Sequence, residues 1–167
     1  MPVYQFQREQ LIDASLEDVW DFIKNPKNLK RITPDYMDFK VTSKDAGDNM
    51  YPGMIISYRV RPVLNIPMTW VTEITHVSEN KYFVDEQRKG PYKIWHHEHK
   101  LELTEDGVLM TDLITYEPPL GFLGAIANSL FIKGQLNNIF NYREKVVTDY
   151  FKMKPSRTKP LTKVRFL

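Results

Sequence analysis

Two histidines one residue apart, His97 and His99, are the side chains in this sequence best suited to chemistry. Imidazole changes charge near neutral pH and coordinates metals through either ring nitrogen. Residues 92–103 alternate as a strand does, and a strand sends residues i and i+2 to the same face. One face carries Trp95, His97, His99, Leu101 and Leu103. It is the more apolar of the two, so both imidazoles are expected to point inward. Residues 82–88 place Phe83, Asp85 and Gln87 together, and residues 108–116 place Met110, Asp112, Ile114 and Tyr116 together. If Phe83, Trp95 and Met110 all face the interior, then Asp85, Gln87, His97, His99 and Asp112 meet there.

Such a cluster admits three chemistries. Each polar group buried without a partner costs about 1–3 kcal/mol, so these groups must be satisfied. In the first reading Asp85 and Asp112 each hydrogen-bond an inward histidine and the pairs are structural. In the second the cluster orients the polar part of a ligand. A histidine beside a carboxylate can then move a proton in an aldol, cyclisation or dehydration step, with His97, His99, Asp85 and Asp112 as the catalytic candidates. In the third, His-x-His on a strand with carboxylates nearby coordinates zinc or iron. No third inward histidine completes such a set, and neither a metal nor a cofactor is assigned. The absence of cysteine removes thiolate ligands and thiol nucleophiles. Tyr58, Trp70, Tyr92, Trp95, Tyr116 and Phe122 can wall a site for an apolar or ring-shaped molecule, or fill an ordinary core.

The elements that would position these residues follow from periodicity. Residues 3–12 are rich in strand formers. Ser15 then precedes apolar residues at 16, 19, 20 and 23, a helix with a good N-cap and acids in its first turn. A second short helix is expected over 26–32, ended before Pro34. Strands are expected over 39–43, 54–60, 68–77, 82–88, 92–103 and 108–116, joined by short turns such as Glu105-Asp106-Gly107. That spacing predicts an antiparallel meander. After Pro118-Pro119 the apolar period becomes helical and persists to Phe151. A long amphipathic helix must bury its apolar face on the concave side of the sheet, and a gap between the two is a natural pocket. Residues 120–124 lack the spacing of a phosphate loop and read as the hinge into that helix.

The chain has 167 residues, a length suited to one domain with its own core. Aromatics at 13% argue against bulk disorder. The net charge of +2 hides a division. Residues 152–167 carry six Lys/Arg and no acid, leaving 17 bases against 21 acids, a formal −4, in residues 1–151. The basic tail is expected to be a flexible solubilising end. Its other readings are a weak contact with an anionic membrane surface and docking of the Val164–Leu167 end on another chain. No nucleic-acid partner is expected, and no oligomeric state is assigned. Neither a signal peptide nor a membrane-spanning run is evident, so a cytoplasmic location is the default.

The stretches IDASLEDVWDFIKNPKNLKRITPD, FVDEQRKGPYKIWHHEHKLEL and MTDLITYEPPLGFLGAIANSLFI together resemble the SRPBCC superfamily, which includes START lipid-transfer domains, pollen-allergen proteins and polyketide cyclases. The last two look most like bacterial ligand-binding members related to cell-division-inhibitor domains. The resemblance spans roughly residues 3 to 151. It implies an α+β helix-grip fold, with about seven antiparallel strands curved around a long C-terminal helix and two short helices after the first strand. It also implies a cavity that binds a small hydrophobic or amphipathic molecule, lipid-like or polyketide-like. Its residues would come from Tyr58, Trp70, Phe83, Asp85, Gln87, Trp95, His97, His99, Met110, Asp112 and Tyr116. A cyclase-, dehydratase- or hydrolase-like enzyme with a cavity histidine as general base is the alternative.

Overall fold

The computed structural model describes residues 2–43, 47, 49–62, 66–119, 121–151 and 163–166. Strand β1 (Tyr4–Ile12) leads into helix α1 (Leu16–Ile23) and two 3-10 turns, Pro26–Lys30 and Asp35–Met37. A meander follows: β2 (Lys40–Val41), β3 (Met54–Val60), β4 (Met68–Ser78), β5 (Tyr82–Lys89), β6 (Ile94–Thr104) and β7 (Gly107–Glu117). Helix α2 (Gly121–Ala127) then runs through a π-helical turn, Asn128–Ile132, into α3 (Lys133–Tyr150). The pairings are antiparallel, and the sheet order is β2-β3-β4-β5-β6-β7-β1, closed by a last strand, β8 (Lys163–Phe166). Among the described residues, no helix is long and apolar enough to cross a membrane.

Local chemistry accounts for the start of the fold. Ser15 caps α1 by accepting from the Asp18 amide at 3.1 Å, and its hydroxyl donates to the Asp18 carboxylate at 2.7 Å. This satisfies an amide that the first helical turn leaves without a partner. Val19, Trp20, Phe22 and Ile23 are the buried side of α1. The helix stops where Asn25 caps the first 3-10 turn by accepting from the Lys27 amide at 2.9 Å. Strand β2 is shorter than the expected 39–43, and the second short helix is a 3-10 turn ending at Lys30.

Gly107 shows how tightly the β6–β7 hairpin meets β1. Its φ of 129° is one that side-chain-bearing residues rarely adopt, and a Cβ there would overlap the carbonyl oxygen of Ile12. Gly107→Ala is expected to lower stability by about 1–3 kcal/mol, read as a shift in the urea unfolding midpoint.

Helix α3 lies over the inward face of the sheet. Its buried stripe is Leu136, Phe140, Arg143 and Val147. Phe140 meets Phe6 with ring centroids 5.0 Å apart. Polar contacts secure β1 to the same helix: Arg8 donates to the Asn141 side chain at 2.8 Å, and Gln10 donates to the Glu144 carbonyl at 3.1 Å and the Thr148 hydroxyl at 3.2 Å. Arg8 and Gln10 occupy inward positions of β1, between Phe6 and Ile12. Their polar ends therefore have α3 to bond to instead of water.

One expectation is corrected here. Leu103 is 66% exposed, although Leu101 two residues earlier on the same strand is buried. The seven expected strands are present and an eighth joins them: Lys163–Phe166 pairs with Gln7–Tyr4, so part of the tail hydrogen-bonds to the free edge of β1. An open strand edge offers a row of backbone donors and acceptors, which this pairing uses. The basic stretch 152–162 and Leu167 lie outside the described residues, and with them the reading of a flexible, membrane-contacting tail.

Candidate functional site: a polar cluster at one end of an apolar cavity

The register of three adjacent strands builds the site. Asp85 of β5 stands directly opposite His97 of β6, Phe83 opposite His99, and His99 opposite Asp112 of β7. Alternation then turns all five side chains to the inner face, beneath α3. His97, His99 and Asp112 are buried, at 7%, 3% and 2% exposure. The rings of His97 and His99 are 3.7 Å apart, and Phe83 stacks on His99 at 4.0 Å.

The two carboxylates sit on opposite sides of the imidazole pair. One oxygen of Asp112, Oδ1, is 3.0 Å from His97 Nε2 and 2.9 Å from His99 Nδ1. One oxygen of Asp85, Oδ2, is 2.8 Å from His99 Nε2 and 3.5 Å from His97 Nδ1. Arg143, reaching down from α3, places Nη1 3.1 Å from Asp112 Oδ1. Asp112 is therefore held from three directions.

These contacts decide the charges. Burial works against ionisation of Asp112, but the Arg143 guanidinium and hydrogen bonds from both imidazoles outweigh it and hold the carboxyl well below its usual range. Burial likewise opposes the Asp85 carboxylate, yet the hydrogen bond from His99 and the nearby imidazoles push its pKa down. Burial, followed by the charge of its neighbour His99, lowers His97. For His99 burial is overcome by the hydrogen bonds to Asp112 and Asp85, and its pKa rises. The shifts favour the charged form of His99 and the neutral form of His97. A neutral imidazole backed by a carboxylate is competent to accept a proton.

Above the cluster lies a cavity of about 180 Å³. Tyr58, Trp70, Phe83, Asp85, Trp95, His97 and His99 line it, all of them residues singled out in the sequence. Trp70 and Trp95 meet edge to face at 5.2 Å, with Tyr92 packed against both. Four other expected site residues do not line it. Met110 and Tyr116 face inward but belong to packed apolar clusters, and Asp112 sits beneath the histidines. The Gln87 side chain turns to its own hairpin, donating to the Tyr92 carbonyl at 2.6 Å and accepting from the Tyr92 amide at 3.2 Å. The Phe122 side chain is outside the described residues.

Other lining residues were missed in the sequence. Leu29, Ile32 and Met37 come from the segment after α1, and Leu136, Ile139 and Phe140 from α3. Arg143 is the most consequential, and it had a signal: a single charged residue on the apolar stripe Leu136, Phe140, Val147. Its Nε is buried without a hydrogen-bond partner among the described residues.

An antiparallel sheet gripping a C-terminal helix, with a cavity between them, defines a helix-grip protein. The chain belongs to the polyketide cyclase/dehydrase and lipid transport family, which matches residues 12–140, and so to the SRPBCC superfamily. Solved structures agree on the fold. Protein CV1439 from Chromobacterium violaceum superposes with a TM-score of 0.67 at 11% identity, over 90% of this chain and 99% of that one. The major latex-like protein 151 of Panax ginseng gives 0.66 at 12% identity, over 90% and 99%. The di-domain ARO/CYC protein StfQ from the steffimycin biosynthetic pathway gives 0.63 at 10% identity, over 91% of this chain and 53% of its own. No curated protein sequence matches the chain.

Proposed function

We propose that this protein binds a small hydrophobic or amphipathic molecule, lipid-like or of the polyketide aromatic type, between the sheet and α3. The observation that carries the reading is an apolar, aromatic-walled cavity with one polar end, formed by Asp85, His97, His99 and Arg143. Apolar walls favour the body of such a molecule by removing its surface from water. The polar end would fix its orientation. Size sharpens the proposal. A dry apolar cavity of about 150 Å³ takes up benzene, so 180 Å³ suits one ring or a short alkyl segment. The family description and the ARO/CYC neighbour support this class of ligand.

Native mass spectrometry of freshly purified protein is expected to show a bound small molecule, or uptake of a one-ring apolar compound supplied to it. Ile139 lines the cavity yet is only partly buried, so Ile139→Trp should fill the space without breaking the core. It is expected to weaken that uptake at least about tenfold, or 1.4 kcal/mol. Uptake unchanged by Ile139→Trp would place the binding elsewhere.

A further inference from the structure

We propose that Asp85, His97 and His99 form a binding site for a divalent transition-metal ion of the zinc or ferrous type. The inference concerns the polar end of the cavity and does not depend on which organic molecule fills the remainder. Asp85, His97 and His99 each offer one ligand atom, and the three atoms lie within 4.8 Å of one another. Two imidazoles and one carboxylate are a donor set that zinc and non-haem iron accept, with further coordination positions left open.

The argument beyond proximity is how the other ends of the rings are held. A metal-binding histidine needs its coordinating nitrogen unprotonated and its remote N–H engaged, usually by a carboxylate. Asp112 supplies that acceptor to both rings at once, at 3.0 Å from His97 Nε2 and 2.9 Å from His99 Nδ1. His97 Nδ1 and His99 Nε2 both lie on the Asp85 side, and a metal bound there displaces the proton that His99 Nε2 shares with Asp85. Arg143 holds Asp112 in place through Nη1, 3.1 Å from Oδ1, while its Nη2 stands 3.5 Å from His99 Nδ1, the ring nitrogen remote from the Asp85 side.

The spacing is workable. With metal–nitrogen and metal–oxygen bonds of about 2.0–2.2 Å, ligand atoms in a tetrahedral site stand roughly 3.4 Å apart. Asp85 Oδ2 is 3.5 Å from His97 Nδ1 and 2.8 Å from His99 Nε2. The second distance opens by a few tenths of an ångström when a metal replaces the proton shared between those atoms. Asp85 is the ligand that can move, since its carboxylate is less enclosed than either imidazole. All three ligands line the cavity, so an open coordination position faces it.

The test is calorimetric titration of Zn²⁺ into the full chain after chelator treatment and dialysis, with no organic ligand present. One equivalent per chain is expected. Asp112→Asn should weaken binding by roughly 10–100-fold, the usual effect of losing an outer carboxylate, and His97→Gln or Asp85→Asn by more. His76 and His96 lie outside the cavity, and His96 stands between Glu86 and Glu98 on the other face, where a metal can collect adventitiously. The double variant His76→Gln/His96→Gln should keep the site intact. Should a cavity variant lose its fold by circular dichroism, X-ray absorption of the Zn²⁺-loaded wild type decides, with two imidazole ligands expected. No one-to-one binding, binding abolished by His76→Gln/His96→Gln, or a spectrum without two imidazoles overturns the proposal.

Discussion

Arg143→Met is expected to lower the free energy of unfolding by about 3–5 kcal/mol, the usual result of removing one partner of a buried ion pair. Asp112 is 2% exposed, and its Oδ1 has Arg143 Nη1 at 3.1 Å. Without the guanidinium, the carboxylate keeps two imidazole donors but loses the cation in direct contact with it, leaving Arg8 on the facing strand as a more distant positive charge. It must then be protonated or leave a buried charge poorly compensated. Met matches the length of the aliphatic part of arginine, so the packing on Phe140, whose ring centroid lies 5.5 Å from the guanidinium carbon, is mostly retained. The loss is therefore electrostatic, and a second substitution can test that. In Arg143→Met/Asp112→Asn the orphaned charge is gone, and the combined loss should fall short of the sum of the single losses by about 0.5–3 kcal/mol. Urea unfolding followed by tryptophan fluorescence reads all three variants, since Trp20 is buried against Phe83. Strict additivity would show that Arg143 acts through packing alone.

Phe140→Ala should cost a comparable amount, about 3–5 kcal/mol, for a different reason. Phe140 is 4% exposed and joins three parts of the structure. It meets Phe6 of β1 at 5.0 Å, approaches His97 edge-on at 6.0 Å, and forms part of the cavity wall. Truncation removes one of the apolar contacts through which α3 grips the sheet and merges the vacated volume with the cavity. An apolar compound too large for the wild type should then bind and restore stability by mass action, about 2.7 kcal/mol at a hundred times its Kd. Thermal unfolding with and without such a compound provides the measurement. A loss below about 1 kcal/mol would mean that the rest of the buried stripe and the polar bridges from Arg8 and Gln10 hold the helix without it.

Much of the fold can be read locally. Ser15 and the 16, 19, 20, 23 spacing specify α1 because capping and helical periodicity act over a few residues. The alternation in β7 is strict, with Val108, Met110, Asp112, Ile114 and Tyr116 all buried, so its inward face is legible directly. The pairing of His97 and His99 with Asp85 and Asp112 is legible for the same reason, since neighbouring strands joined by short turns must register side by side. Alternation says which way a side chain points but not what lies opposite it. Met110 and Tyr116 point inward, and only the placement of the surrounding elements makes them core and Trp70 and Trp95 wall. Gln87 shares a face with Asp85, yet the backbone of Tyr92 captures its amide.

By itself, then, the sequence determined the strand and helix order, the inward imidazoles and the two carboxylates beside them, because each depends on local propensity or a period of two. Three things were decided only by tertiary structure. Arg143 reaches Asp112 from 31 positions away in the chain, β8 finds the edge of β1 from the opposite end of the molecule, and one oxygen of Asp112 takes the remote nitrogens of both histidines. These are contacts between segments that become neighbours only when the helix closes on the sheet or the chain end returns to its edge. The composition could show that polar groups would be buried together, but their arrangement around two imidazole rings exists only in the assembled fold.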